Sequence, residues 1–188
     1  MRSCEIIRTP IMYAELLLKN VLVQQYDLQD ISFTDLLRNK YRETAEPAAQ
    51  EMQQYINNGE IVPIPILHAL LKSEIEKTPK GILLRKYPRT AEQFNALKEF
   101  LHSEGFTITR FWHLRWNNIE EYVELKSQER DEYTEKFGFD KDLVTSKLKA
   151  ELKATEELIN YIDSSTMLKV MDIPYPLTIC TEDFTTKL

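Results

Sequence analysis

The side chains best placed for chemistry lie in two segments, Ile31-Ser32-Phe33-Thr34-Asp35-Leu36-Leu37-Arg38 and Gly81-Ile82-Leu83-Leu84-Arg85-Lys86-Tyr87-Pro88-Arg89-Thr90-Ala91-Glu92-Gln93. In the second, a short apolar run ends on Arg85 and Lys86, with Arg89 and Gln93 close behind. Adjacent cations in such a turn repel a metal ion and attract an anion. Metal chemistry finds no support elsewhere, since His68, His102 and His113 lack metal-type spacing and read as core-edge or surface residues. Cys4 and Cys180 are too few and too distant for a disulfide framework or a zinc ribbon. Two thiols in a chain whose first residues do not read as a secretory leader point to a reducing, cytoplasmic compartment.

The elements that must position these residues follow from apolar periodicity. Cys4-Glu5-Ile6-Ile7 reads as a buried strand, and Tyr13, Leu16, Leu17 and Val21 then repeat as on a helix. Asp30-Ile31-Ser32 is brief and extended, with Ser32 or Thr34 placed to cap the helix that carries Leu36, Leu37 and Tyr41. The next helix, 47–56, stops at Asn57-Asn58-Gly59. Ile66, Leu67, Leu70, Leu71 and Ile75 mark another. Gly81-Ile82-Leu83-Leu84 reads as a buried strand between Pro79 and Pro88, and Phe94, Leu97, Phe100 and Leu101 as a helix. A β-branched and aromatic strand is predicted over 107–114, charged helices over 118–136 and 141–163, and a strand over 167–171. A short helix is predicted after Tyr175-Pro176. Short apolar strands alternating with helices argue for a parallel sheet covered on both faces, in one domain.

Composition agrees with a globular chain. Its 188 residues are 43% hydrophobic and 29% charged, and no apolar stretch is long enough to cross a bilayer. The net charge of -6 weighs against nucleic acid as a partner, and no membrane partner is expected. Trp112 reads as core, whereas Trp116, beside Arg115, is a candidate anchor for a partner. The charged run from Glu120 to Lys136 reads as a solvated helix face, with Tyr122 and Tyr133 as candidate contact residues.

Taken in order, four stretches resemble the nucleoside monophosphate kinases, above all adenylate kinase in its short-lid form. Residues 31–38 resemble I-S-T-G-D-x-L-R, and Asn58-Gly59-Glu60-Ile61-Val62-Pro63 resembles G-x-(L/I)-V-P. Residues 81–93 resemble G-F-(L/I)-L-D-G-(F/Y)-P-R-T-x-x-Q, and Lys153-Ala154-Thr155-Glu156-Glu157-Leu158 is similar to the family's late helix. The resemblance implies a P-loop NTPase-like α/β/α fold with a five-stranded parallel sheet, in a single domain over 1–188. It also implies a monophosphate-binding helical arm over about 31–75 and a short lid over about 126–140. By the same resemblance Arg38, Val62, Arg89 and Gln93 match the residues that hold the monophosphate, and Lys136 and Lys147 fall where arginines grip the phosphate in transit.

The sequence departs from the family where phosphoryl transfer is most demanding. That chemistry is positioning plus charge stabilisation, and its central device is the loop G-x-x-x-x-G-K-(S/T). Here the corresponding stretch is Arg8-Thr9-Pro10-Ile11-Met12-Tyr13-Ala14-Glu15-Leu16, and no glycine precedes Gly59 and no lysine precedes Lys19. Without glycine the turn cannot readily bring its backbone against a phosphate. The family's magnesium-supporting acid falls at Arg85 and the following glycine at Lys86, and the arm's threonine and glycine fall at Phe33 and Thr34. The expectation is therefore a catalytically inactive domain, with no catalytic residue and no bound cofactor or metal. Its role would be structural or regulatory, through other proteins in a larger assembly, by analogy with kinase-like domains of ciliary axonemes. The alternatives are a weak nucleoside monophosphate kinase and a sensor that binds AMP weakly through the retained residues. Arg38 and Arg89 have a plainer reading as partners of Asp35 and Glu92.

Overall fold

Alternate residues of the central strands face opposite ways, and both faces are apolar, so the sheet must be covered on both sides. The computed structural model describes residues 1–9, 12–42, 47–58, 60, 62–115, 118, 120, 121, 123, 124, 140–162 and 167–173, without the side chains of Met12, Tyr13, Ile56 and Lys147. In chain order the elements are β1 (Arg2–Arg8), α1 (Met12–Tyr26), β2 (Leu28–Ser32), α2 (Phe33–Arg42), α3 (Pro47–Asn57) and α4 (Ile64–Ile75). There follow β3 (Gly81–Arg85), α5 (Ala91–Ser103), β4 (Phe106–Arg115), α6 (Lys141–Ile162) and β5 (Leu168–Asp172).

The five strands form one parallel sheet in the order β2-β3-β1-β4-β5. Ile6, Ile82, Leu84 and Phe111 face one layer, with Leu71, Phe94, Leu97 and Leu158 from α4, α5 and α6. Ile7, Leu83, Trp112 and Leu114 face the other, against Ala14, Leu18 and Leu22 of α1. A third apolar cluster joins Ala49 and Met52 of α3 to Ile66 and Leu70 of α4. This is the three-layer α/β architecture expected from the alternation of elements. The extended stretch Asp30-Ile31-Ser32 belongs to a full edge strand, and the strand predicted over 107–114 is longer by one residue at each end.

Local chemistry fixes several junctions. Ser32 accepts the Asp35 N–H at 3.4 Å at the start of α2, so Ser32 rather than Thr34 caps that helix. Gly105, with φ +79, makes the left-handed turn from α5 into β4. Gly81 admits no side chain, because a Cβ there would lie 2.5 Å from Ser3 Oγ and 2.9 Å from Ser3 O.

Polar groups are also buried in the sheet. Glu5 accepts from Trp112 Nε1 at 2.8 Å and from Arg110 at 2.7 Å, so the core residue Trp112 is tied to β1. His68 Nε2 lies 3.0 Å from the Tyr87 hydroxyl, and burial holds its pKa down to about 4. His68 and His113 are buried and His102 is exposed. Cys4 is buried and unpaired. No helix among the described residues is long and apolar enough to cross a membrane. The predicted helix over 118–136 lies largely outside the described residues, as do Trp116, Tyr122, Tyr133, Cys180 and the predicted terminal helix.

Candidate functional site

Parallel α/β sheets bind ligands beyond the carboxyl ends of their strands, where the chain's connections change direction. In this sheet that place is the end of β1, between β3 and β4. Four cations gather there: Arg8 ends β1, Arg85 ends β3, and Lys86 and Arg89 follow in the turn to α5. Three carboxylates answer them: Glu15 in the first turn of α1, Asp30 on β2 and Glu151 on α6.

Glu15 points inward, with only 1% of its surface exposed. Arg85 Nη1 donates to Glu15 Oε1 at 2.6 Å, while its Nε and Nη2 grip Asp30 at 2.7 and 2.9 Å. Lys86 Nζ reaches Glu15 Oε2 at 2.6 Å, as an ion pair without hydrogen-bond alignment. Burial works against the charge of Arg85, but the bonds to Asp30 and Glu15 outweigh it and raise its pKa. The anion expected beside Arg85 and Lys86 is thus supplied by the chain itself.

Lys86 holds a left-handed backbone, φ 68, at the position where the resemblance places a glycine. For a side chain of this kind such a conformation costs roughly 1–2 kcal/mol. The conformation turns Lys86 back toward the end of β1, where Nζ also lies 3.4 Å from the Thr9 carbonyl.

These residues do not fit a magnesium ion. Arg85 and Lys86 present positive charge, Glu15 and Asp30 are already engaged by them, and no cluster suited to a metal occurs among the described residues.

The residues matched to monophosphate binding are dispersed in role. Arg38 is exposed and pairs with Asp35 at 3.1 Å, as its plainer reading anticipated. Val62 is half-buried and packs against both the sheet core and the α3–α4 cluster. Gln93 closes the start of α5: its Oε1 accepts the Arg89 N–H at 2.8 Å, and its own N–H is capped by Thr90 Oγ1 at 3.2 Å. Arg89 is exposed and, among the described residues, no carboxylate pairs with it, Glu92 included. Phe33 stacks on Tyr87 with ring centroids 4.4 Å apart, closing the space between α2 and the β3 turn with aromatic surface. Lys136 and the side chain of Lys147 lie outside the described residues.

Arg8 escaped the sequence reading. It is buried to 2% exposure, and Glu151 Oε1 approaches one of its nitrogens at 3.3 Å. Among the described residues, Nε and Nη1 have no hydrogen-bond partner. An arginine closing an apolar run reads as the frayed end of a strand, so its sequence carried no signal beyond its position.

The family model described as adenylate kinase matches residues 18–167, beginning beyond the turn from Arg8 to Glu15. An adenylate kinase of Mesomycoplasma hyopneumoniae (strain J) is 34% identical over 138 residues, covering 72% of this chain and 61% of that protein. One from Pyrococcus furiosus is 36% identical over 87 residues, 46% of this chain and 39% of the relative, and one from Thermococcus sibiricus is 31% identical over 87 residues, 46% and 38%. The chain thus spans less than two thirds of the length of these relatives. The parallel sheet in the order β2-β3-β1-β4-β5 and a family match over most of the sequence lead to one assignment: this chain belongs to the adenylate kinase family.

Proposed function

We propose that this chain is a catalytically inactive adenylate kinase-like domain that works through contacts with other proteins, as a structural or regulatory module of a larger assembly. The observation that carries the reading is the buried carboxylate of Glu15, bonded to both Arg85 and Lys86. Phosphoryl transfer needs cations and backbone amides free to meet charge that grows in the transition state. Here the two cations next to the first strand are neutralised from within, and the turn after β1 has no glycine to wrap a phosphate. In this reading Arg38, Val62, Arg89 and Gln93 are remnants of a monophosphate site, with Arg38, Val62 and Gln93 kept for pairing, packing and capping and the Arg89 side chain left exposed. Residues 1–188 act as one domain, with the arm over about 31–75.

The test is ADP formation from ATP and AMP by purified protein, joined to calorimetry with AMP, ATP and a bisubstrate adenosine pentaphosphate. The expected result is no turnover and no heat from any of the three. Turnover of about 1 s⁻¹ or faster, the low end for kinases, overturns the proposal. Capture of stable partners from the native source then tests the interaction role.

A second reading, a weak nucleoside monophosphate kinase or an AMP sensor, draws on two observations. The relatives carry the name adenylate kinase, and Arg89 remains exposed without a carboxylate partner among the described residues. Binding of AMP alone, lost in Arg89→Ala, supports the sensor; turnover lost in the same variant supports the enzyme.

A further inference from the structure

We propose that the open edge of β2 is a docking slot for one extended segment of a partner protein, which joins the sheet as a sixth strand. The segment carries an acidic, an apolar and a basic side chain at alternate positions. The proposal rests on the reading of the chain as a module that contacts other proteins, and it names the surface and the kind of partner.

β2 ends the sheet and pairs with β3 alone, so the backbone groups on its outer side have no neighbouring strand among the described residues. A groove of about 500 Å³ runs beside it, and Gln29, Asp30, Ile31 and Ser32 all line that groove. Successive strand residues face opposite sides of a sheet, so a cavity that touches four in a row lies against the strand's edge. Proteins blunt such edges with lysine, proline or a bulge. The other outer strand, β5, carries exposed Lys169, whereas Leu28–Ser32 contains no lysine or proline and keeps an unbroken register with β3. The one charge on β2, Asp30, is held by Arg85. The exposed amide of Gln29 bonds to the Asp30 carbonyl at 3.3 Å, a local substitute for a missing strand. An added strand uses such an edge through main-chain bonds for affinity and alternate side chains for selectivity.

The walls define the occupant. They come from α2, from the end of α4 and from the connection to β3. A bare strand fits beside them, but the edge of a second copy would bring its own α2 and α4 against these. Lys77 stands where β2 and β3 begin, and Asp35 where β2 passes into α2. Lys77 is 63% exposed and meets Glu74 three residues back at 2.6 Å, and Asp35 is 58% exposed and pairs with Arg38 in the same helical turn. Exposed pairs of this kind are worth little, so either charge can turn to an incoming partner at small cost. Between the two, Ile31 and Leu36 supply an apolar middle. A carboxylate for Lys77, an apolar side chain for Ile31 and Leu36, and a cation for Asp35 then fall on one face of an entering strand, at every second residue.

The test is titration of the full chain with the end-blocked peptide Ser-Glu-Thr-Val-Thr-Lys-Ser and with its reverse, Ser-Lys-Thr-Val-Thr-Glu-Ser, read by calorimetry and amide hydrogen exchange. One of the two should bind with a dissociation constant of about 1 mM or tighter, and its direction gives the sense of the sixth strand. Amides within Leu28–Ser32 should gain protection. Methylating the backbone nitrogens of the peptide should weaken binding by about tenfold or more, the scale of two lost main-chain bonds. Lys77→Glu, at an exposed position, should weaken it by about threefold or more, and exchanging the peptide's Glu for Lys should recover the loss. No saturable binding of either peptide overturns the proposal, as does binding that leaves Leu28–Ser32 unprotected or that Lys77→Glu does not change. Self-association of the chain through Leu28–Ser32 assigns the edge to a second copy and overturns it too. Peptide binding by a chain that turns over ATP and AMP would sink the inactive-module reading and leave the slot standing. Absence of both binding and turnover sinks the slot alone.

Discussion

Glu15 on α1 and Arg85 at the end of β3, 70 residues apart in sequence, meet at 2.6 Å in the interior, with Lys86 on the second carboxylate oxygen and Asp30 on the other side of the guanidinium. The pair ties the first helix to the middle of the sheet. Removing one partner of a buried ion pair leaves its counter-charge unmatched, at a cost of about 3–5 kcal/mol. Glu15→Gln should lose about 3 kcal/mol, since Asp30 still holds Arg85. Glu15→Lys should lose more, because a third cation would then sit between two others. Urea unfolding of the variants, with unchanged slope and lowered midpoint, is the measurement. A wild-type midpoint in Glu15→Gln would contradict the assignment.

Stability should fall on acidification through the neutral-to-acid range. His68 titrates near 4 in the folded chain, held down by burial beside Tyr87, against an ordinary value of 6.5. The unfolded chain therefore binds the extra proton first, so this contribution is complete above about pH 6.5 and is lost progressively between pH 6.5 and 4. Its size is at most about 3 kcal/mol. His113, also lowered by burial, acts in the same direction. His68→Phe should reduce the slope of stability against pH in this window without abolishing it. An unchanged slope would show that His68 accepts its proton in place.

Gly81→Ala should destabilise the sheet by about 1–3 kcal/mol. The new methyl would lie 2.9 Å from the Ser3 carbonyl oxygen, and backbone cannot swing aside as a flexible side chain can. Thermal melts of this variant and of Gly105→Ala separate two causes. The second has open space around it and should suffer only from its left-handed backbone.

Replacing Lys86 by glycine sets two effects against each other. Glycine relieves the strained φ of 68, worth roughly 1–2 kcal/mol, but removes the partner of Glu15 Oε2. Lys86→Gly should therefore change stability little, whereas Lys86→Ala, which keeps the strain and loses the pair, should be clearly the less stable of the two. Equal stability of the two variants would deny either the strain or its relief.

Much of the fold was legible because the chain punctuates itself. Pro79 and Pro88 frame β3, and Asn57-Asn58 closes α3 where the helix was predicted to stop. Strand β2 was seen only in part, since Gln29 and Asp30 interrupt its apolar pattern at the edge of the sheet. The site was less legible than the fold. Arg85 and Lys86 announced an anion, but that its carriers are Glu15 and Asp30 depends on long-range packing, which no local spacing encodes. Gln93 stood in a ligand-binding pattern, yet its carbonyl oxygen caps the turn before α5. A short motif can serve helix capping and ligand binding with the same residues, and only the hydrogen bonds tell which.

The left-handed backbone at Lys86 has a consequence for any attempt to restore phosphate handling to this chain. The β3 turn already has the shape that a glycine would give it, so the obstacle at that position is a side chain and its charge, not the path of the main chain. The stretch after β1 is the reverse case in sequence, since it lacks both the glycines and the lysine of the family's loop. Rebuilding would have to begin at the first strand, with the third needing exchanges of side chain at Arg85 and Lys86.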